Sequence, residues 1–394
     1  MAKFVYGNGT NSTQGANTQL HYYDRAGINA ANRKNVYTQF CDRKSMPTMT
    51  GKTYKISRWQ HIYDRKLSDA EFAKKGFLTS RDIANVTTGL TNSILAEGSN
   101  GNVPVDFQKV TLETKLNRYG DFIEYTDENI LFSEDYMQAR YREELGELAN
   151  QKYEDLIQLD MLSTTNITYS GLATSLATMG NGIVANGSLD DRYRVSYDLL
   201  RKSVAKLVRN RAKKNTTLVT GSTKIDTRTI NSAYYAIIGP NVKFDLEQLT
   251  FGRNAAEKMA WVPAYQYASA ATLAEGEVGA MHEIRFIESE SALVYEKSGV
   301  AVPAGYVGTL KYTGTIGTDA KFDVFPILFP TEGAFATVGL KGKNKITFTS
   351  MSPDQVARDN KFQNNGFFAY NFWYAGIILQ EEKLLKVLVL ASDV

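Results

Sequence analysis

The stretch from Leu95 to Leu162 most narrowly limits the fold, because it runs an extended polar ribbon directly into a long helix. It opens Leu95-Ala-Glu97-Gly98, turns through Gly, Asn and Ser residues at 99–102, and passes Pro104. Strict alternation follows: Val105, Phe107 and Lys109 against Asp106, Gln108 and Val110, then Leu112, Thr114 and Leu116 against Glu113 and Lys115. A period of two with charge on both faces predicts a strand pair that cannot be the middle of a sheet core. The ribbon continues through Tyr119-Gly120, Phe122 and Tyr125 and closes at Thr126-Asp127. From about Ser133 the period turns helical, with Tyr141, Leu145, Leu148/Ala149, Leu156 and Leu159 on the expected apolar face. A solvated hairpin this long must offset its backbone entropy with little core of its own. Its missing contacts are therefore expected from another molecule. The chain reads as an assembly protein before it reads as an enzyme.

At 394 residues there is room for two or three domains and a sizeable core. No apolar run reaches the roughly 18 residues that a membrane helix needs, and the first residues, Met1-Ala-Lys-Phe, lack the apolar core of a secretion signal. A single cysteine, Cys41, excludes an internal disulfide and a thiolate zinc cluster. Synthesis in the cytoplasm is expected. A net charge of +3 is too small to argue for nucleic acid by itself. The charge is locally uneven, since Arg201, Lys202, Lys206, Arg209, Arg211, Lys213 and Lys214 follow one another without an acid. One reading is a surface that lies against DNA without reading its sequence. The plainer one is a helix starting at Ser196, with Leu200, Val204 and Leu207 in the core and cations at its negative end.

Residues 1–35 are rich in Gly, Asn, Thr and Ala and read as an arm that orders on a partner. Ser68-x-x-Glu71 and Gly76 bracket a short helix. Strands are expected at 217–220, 236–238, 284–287, 292–295, 307–312, 322–328, 345–348, 367–379 and 384–391, the last two joined by the polar turn Gln380-Glu-Glu-Lys383. A helix is expected to begin at Asp245–Leu249, after Pro240. The mixture is α+β.

Motifs that carry chemistry fail on their surroundings. Gly180-Asn-Gly182-Ile-Val-Ala185 fits G-x-G-x-x-A, but no β-branched strand precedes it. Gly51-Lys52-Thr53 ends like a phosphate-binding loop, yet Met46 stands where the first glycine belongs. His282-Glu283 begins like a zinc-protease helix, with Phe286 in place of the second histidine. Asp190-Asp191 and Glu381-Glu382 flank turns and read as solvated charges. No catalytic residue, metal site or cofactor is expected. The 23 tyrosines, 19 phenylalanines and 3 tryptophans suit contacts between subunits. For the dense run Phe367–Tyr374 a covered domain-core strand is preferred, whereas Tyr119, Phe122 and Tyr125 lean toward an interface.

The ordered string Leu95-x-Glu97-Gly98, Pro104, a strand, Tyr119-Gly120, then Thr126-Asp127 before a long helix resembles the major capsid proteins of N4-like tailed bacteriophages. That group has the HK97-type capsid fold. Gly276-Glu-Val-Gly279 with Ile284–Ile287, and Phe329-Pro-Thr-Glu332-Gly-Ala-Phe335, are similar to strands of the family's axial domain, and the segment 359–390 to its last peripheral hairpin. The resemblance implies an N-terminal arm (1–55) and an extended loop (56–127). It further implies a spine helix with the first part of a peripheral domain (128–215), an axial domain (216–350) and C-terminal peripheral strands (351–394).

The function expected from this resemblance is self-assembly into an icosahedral shell around double-stranded DNA, from rings of five and six copies. The loop of each copy, with Leu95, Glu97, Gly98, Pro104, Phe107, Leu112, Leu116, Tyr119 and Gly120, would lie over a neighbour. Implied partners are further copies of the chain, packaged DNA, a portal, scaffolding and possibly decoration proteins, with no membrane; the implied location is the virion. The rival readings are an encapsulin-type compartment of the same fold, a non-specific nucleic-acid-binding protein resting on 201–214, and a small-molecule enzyme resting on the weak glycine motif.

Overall fold

The computed structural model describes residues 35–59, 82–91, 94–95, 97–98, 109–132, 137–219, 227–250, 260–267, 273–343, 346–356 and 360–394. Its longest strand is Asn365–Ile378 (β16; strands and helices are numbered in chain order), and its alternation explains its place. Phe368, Tyr370, Phe372 and Tyr374 fall on one face and are buried beneath the 26-residue spine helix Met137–Leu162 (α3). Tyr153 of the helix meets Phe372 and Tyr374 edge to face, with ring centroids 5.7 and 5.3 Å apart. β16 pairs antiparallel with Asn117–Thr126 (β4), Thr347–Met351 (β15) and Phe335–Leu340 (β14). Parallel pairing of Asp42–Met46 (β1) with β14 completes a five-stranded sheet.

A second sheet of eight strands begins with Ile167–Tyr169 (β5), Leu384–Val389 (β17), Phe325–Pro330 (β13) and Thr227–Ile238 (β7). It continues with Ile284–Glu288 (β10), Glu277–Met281 (β9) and Val262–Pro263 (β8), while Asn215–Val219 (β6) pairs with β7. β13 and β17 are buried at every residue, the pattern of strands covered on both faces. Tyr197–Arg209 (α4) and Pro240–Glu247 (α5) pack with one apolar cluster of this sheet. Tyr235, Ile237, Ile287, Leu328 and Leu384 join the spine-helix cluster instead. The helix thus serves as common core to both sheets. Two-stranded ladders complete the strand set: Thr53–Trp59 (β2) with Lys109–Lys115 (β3), and Tyr312–Thr313 (β11) with Lys321–Phe322 (β12). Short helices occupy Ile83–Thr91 (α1) and Asp127–Phe132 (α2).

The buried side of the spine helix is a ladder of every fourth residue, Leu145, Ala149, Tyr153, Ile157 and Met161. Two polar residues lie beside it, Glu154 and Gln158, both buried. Glu154 accepts the backbone N–H groups of Val36, Tyr37 and Thr38 and the Thr38 hydroxyl. Burial pushes its carboxyl above its ordinary range, and these donors pull it back. Val36, Tyr37 and Cys41 are thereby set into the main core, where Phe40 lies 5.5 Å from the Tyr235 ring.

Several expectations change. Residues 36–46 belong to the core and to β1, so the N-terminal arm does not extend to residue 55; residues 1–34 and the helix expected at Ser68–Gly76 lie outside the described residues. The extended loop stops short of Asp127, because β4 has ten residues in register with β16. Leu148 and Leu159 are 37% and 55% exposed, so the helix is rotated from the assumed apolar face. β16 and β17 lie in different sheets and make no hairpin, while β14 and β15, assigned to the axial domain, pair with β16. The segments 292–295 and 307–312 carry isolated bridges at Tyr295 and Leu310 in place of strands, with only Tyr312 entering β11. The helix after Pro240 begins at the proline itself, the first-turn position where a missing N–H costs nothing. Glu382 and Asp190 are buried, not solvated.

The rotated helical phase gives a direct comparison. Leu145→Asp should unfold the isolated subunit, since it puts an unpaired charge into the core. Leu148→Asp should shift the unfolding free energy by less than about 1 kcal/mol. Denaturant midpoints of the two variants check this, and equal midpoints would contradict the phase.

Candidate assembly surface

The ribbon of the sequence reading divides at Leu116. Before it, β2 and β3 form a seven-residue antiparallel ladder, from Thr53 opposite Lys115 to Trp59 opposite Lys109. None of its residues is fully buried. One face leans on its own subunit: Tyr54, Ile56 and Leu112 pack against a cluster containing Met46, Leu116, Ala336, Val338, Ala375 and Ile377. The other carries charge, with Lys55 and Glu113 paired across the strands at 3.1 Å, both exposed. At the end of the ladder Trp59 is exposed beneath the Lys109 ammonium, 5.7 Å from the ring. Leu95, Glu97 and Gly98 are exposed, while Pro104 and Phe107 lie outside the described residues. α1 buries none of its residues, and Ile83, Leu90, Ile94 and Leu95 all face solvent.

Past Leu116 the chain is domain core. Leu116 and Tyr125 are buried, and Tyr119 stacks on Phe372 at 5.8 Å. Gly120 is required by close approach, since a Cβ there would lie 2.4 Å from the Tyr370 carbonyl oxygen. Of the three aromatics assigned to an interface, only Phe122 is exposed. Asp121, on the helix side, takes a 2.5 Å ion pair from Lys152 of the spine helix and a hydrogen bond from the Tyr370 hydroxyl. These hydrogen bonds, that of Lys152 first, hold its carboxyl below the usual carboxylate range. Further apolar exposure sits at Ile130, Leu131 and Phe132 of α2 and at Leu148 and Leu159 on the outer side of the spine helix. Tyr141, Leu145 and Leu156 face inward or are half-buried.

The basic run occupies α4 and the turn after it. Ser196 caps the helix by accepting the Leu199 N–H at 3.2 Å, and Leu200, Val204 and Leu207 are buried. Lys206 and Lys214 make polar bonds within the subunit, and the Arg201 guanidinium lies 5.7 Å from the Tyr197 ring centre. Lys206 donates to the Ile167 carbonyl at 2.9 Å and the Thr168 hydroxyl at 3.2 Å, and burial lowers its pKa. Lys214 pairs with Glu283 at 2.9 Å. Arg201, Lys202, Arg209, Arg211 and Lys213 are exposed. Lys202 and Arg209 are seven residues apart and project from the same side of the helix.

The motifs with catalytic overtones are structural. Gly180 and Gly182 take φ of 90° and 85° in consecutive turns, not a strand-to-helix cradle. His282-Glu283 is the two-residue turn of the β9–β10 hairpin, with His282 at φ 56°. Among the described residues no group of three or more His, Cys, Asp or Glu side chains could hold a metal, and no helix is long and apolar enough to cross a membrane. A cavity of about 220 Å³ lies at the ribbon root between Leu112, Glu113, Asp160, Phe335 and Gly376. Its volume is below that of usual small-molecule sites.

The geometry is a two-sheet body around one helix, with a projecting ladder and scattered apolar exposure. No family model matches the sequence. The chain is 27% identical to the major capsid protein of Pseudomonas phage KPP21, over 97% of this chain and 95% of that one. The capsid of Ralstonia phage GP4 superposes with a TM-score of 0.57 at 10% identity, covering 98% of this chain and 99% of the other. The head of Helicobacter pylori bacteriophage KHP40 gives 0.54 at 10% identity (98% and 99%), and the cyanophage Pam1 capsid 0.53 at 11% (all of both chains). The fold is the HK97-type capsid fold. Within it a 26-residue helix lies between the two sheets.

The Lys152–Asp121 pair makes the spine–sheet seam acid-sensitive. Because the Asp121 carboxyl is held below its ordinary value of 3.8, its contribution is complete above that value. It is lost as the pH falls through the depressed value. The difference in unfolding free energy between wild type and Asp121→Asn should be constant from neutral pH to about pH 5 and shrink below about pH 4. Denaturant titrations of unassembled subunits across this range check the sign.

Proposed function

We infer that the chain is the major capsid protein of a tailed bacteriophage. It self-assembles into the icosahedral head shell that encloses the double-stranded DNA genome. The observation that carries this reading is end-to-end similarity to a phage major capsid protein, in a chain whose fold is that of phage shells. The described surface is consistent with it: an exposed helix with no buried residue and a ladder uncovered on one face are unfavourable in a lone subunit and suit contacts between copies. Copies close into rings of five and six through heterologous contacts. The tip of each ribbon reaches a neighbour while its root stays on its own subunit. Leu95 and Glu97 belong to the reaching part, whereas Leu116 packs in the cluster beneath the ladder and Tyr119 and Gly120 belong to β4.

The exposed cations Arg201, Lys202, Arg209, Arg211 and Lys213 face packaged DNA and neutralise phosphate without reading bases. Lys206 and Lys214 are excluded from that role by their internal bonds. The order of the Leu95–Asp127 motifs supports a place near the N4-like group. By the same resemblance a portal and scaffolding function, and possibly decoration proteins, act with the shell. The protein is made in the host cytoplasm and resides in the virion, and its role is structural, not catalytic.

Electron microscopy of the purified protein tests the reading. Closed shells or rings are expected, and isolated particles at every concentration would overturn it. Reversing Arg201, Lys202 and Arg209 to Glu should leave empty shells intact and reduce DNA filling. Unassembled wild-type subunits should hold duplex weakly, without sequence preference and with steep salt dependence. Filter binding over a salt series checks this, and sequence-selective retention in the range of specific DNA binders would contradict a container.

A further inference from the structure

β4 is an outer strand of its sheet. Among the described residues it pairs with β16 alone, over ten residues in register, without a bulge or a proline. The direction of its remaining backbone groups follows from one bond. Asp127 N donates to the carbonyl of Asn364, the residue directly opposite it, at 3.0 Å. In an antiparallel ladder such bonded pairs alternate with unbonded ones. Tyr119, Asp121 and Ile123 therefore turn their N–H and C=O groups to β16, and Arg118, Gly120, Phe122 and Glu124 turn theirs outward. These last four positions share the sheet face away from the spine helix, and all four are exposed, Phe122 by 63%. Arg118 lies over the Trp373 ring at 6.0 Å, and among the described residues neither it nor Glu124 has an ion-pair partner.

A regular outer strand is a template for another strand unless charge or shape repels it. The charges of β4 do not repel a reversed copy of the same strand. With Asp121 on a two-fold axis, Arg118 falls opposite Glu124 of the second copy, and Gly120 falls opposite Phe122. All four have outward backbone groups, so each exchanges both bonds with its opposite. Opposite charges across the pair and an aromatic ring over glycine favour this register. Moving the axis to Gly120 or Phe122 keeps backbone bonds but separates the charges. On the other face Asp121 meets its own copy, but each is already paired with Lys152, so the axis gathers two neutral ion pairs. The spine helices do not obstruct the contact, because each lies over β16, the strand behind β4. Three strand spacings of about 4.8 Å put the helices about 14 Å apart, beyond the roughly 8–10 Å at which helices pack. We propose that β4 is a two-fold docking edge for a second copy of this chain, joining two five-stranded sheets into one. So short a contact is weak alone and gains strength where many copies repeat it. In the shell it joins copies of neighbouring rings; that placement rests on the shell reading, and the pairing does not.

The test uses two variants, Arg118→Cys and Glu124→Cys, oxidised mildly each alone and mixed, as concentrated subunits and after assembly. Opposite Cα atoms of a bonded antiparallel pair lie about 5.5 Å apart, within disulfide range. Equal positions of the two copies lie six residues apart along the strand, about 20 Å and out of reach. The mixture should therefore give linked dimers at about tenfold or more the yield of either variant alone, while wild type, whose Cys41 is buried, stays unlinked. Sedimentation of concentrated subunits gives the second readout. Arg118→Glu alone and Glu124→Arg alone should weaken association, and the two reversals together should restore it, which loss of the Arg118–Trp373 contact would not do. A mixture without linked dimers, equal linkage of either variant to itself, or no rescue by the double reversal overturns the pairing. Linkage in a protein that forms no shells upholds the pairing and overturns the shell reading. Shells without linkage do the reverse.

Discussion

Glu154 sits without solvent contact on the spine helix and takes three successive backbone N–H groups and a hydroxyl from residues 36–38. Those donors stand at and just before the first turn of a short 3-10 helix, Thr38–Phe40, which leaves them unpaired within it, and leaving buried N–H groups unpaired costs about 1–3 kcal/mol each. The carboxylate therefore fixes where the chain enters the fold. From that point Cys41 enters the common core and β1 pairs with β14, while Gln39 exchanges hydrogen bonds with Glu275 beside the second sheet. One helix residue thus holds together a segment that touches both sheets. Gln158, one turn further, supports it through the Tyr37 hydroxyl at 2.8 Å.

A second junction closes the opposite side. The turn between β16 and β17 looks like a surface hairpin from its four polar residues, yet its acids are consumed by bonds to Thr164, Thr165 and Arg58. Those bonds turn the chain out of one sheet and into the other. Both sheets are thereby bonded to the same end of the helix.

Much of this was legible in the residues. The alternation of Phe368, Tyr370, Phe372 and Tyr374 specifies a strand with one large-residue face, and Ser196 followed by Leu200, Val204 and Leu207 specifies α4 with its cap. The buried stripe of the spine helix was also present, as the ladder Leu145, Ala149, Tyr153, Ile157 and Met161. The expected face shares Leu145 and Ala149 with that stripe but takes in Leu148 and Leu159, because these are more apolar than Tyr153. Glu154 and Gln158 could not be read as core, since a buried polar residue is identified only by the partner that satisfies it. For the same reason Glu382 and Asp190 resembled solvated acids.

What the sequence determined by itself were local periods: a ladder before Leu116, a strand after it, a long helix, and a cationic helix end. These follow from spacing along one segment, where side-chain direction repeats every two or 3.6 residues. Only the tertiary structure decided which of two similar polar strands was ribbon and which was sheet. β3 and β4 share the same alternation, but β4 meets the ten-residue edge of β16, whereas β3 meets only β2 and a patch of apolar surface. Pairing of that kind depends on residues some 250 positions away in the chain, such as Tyr370 against Asp121, and no local pattern encodes which edge will be there.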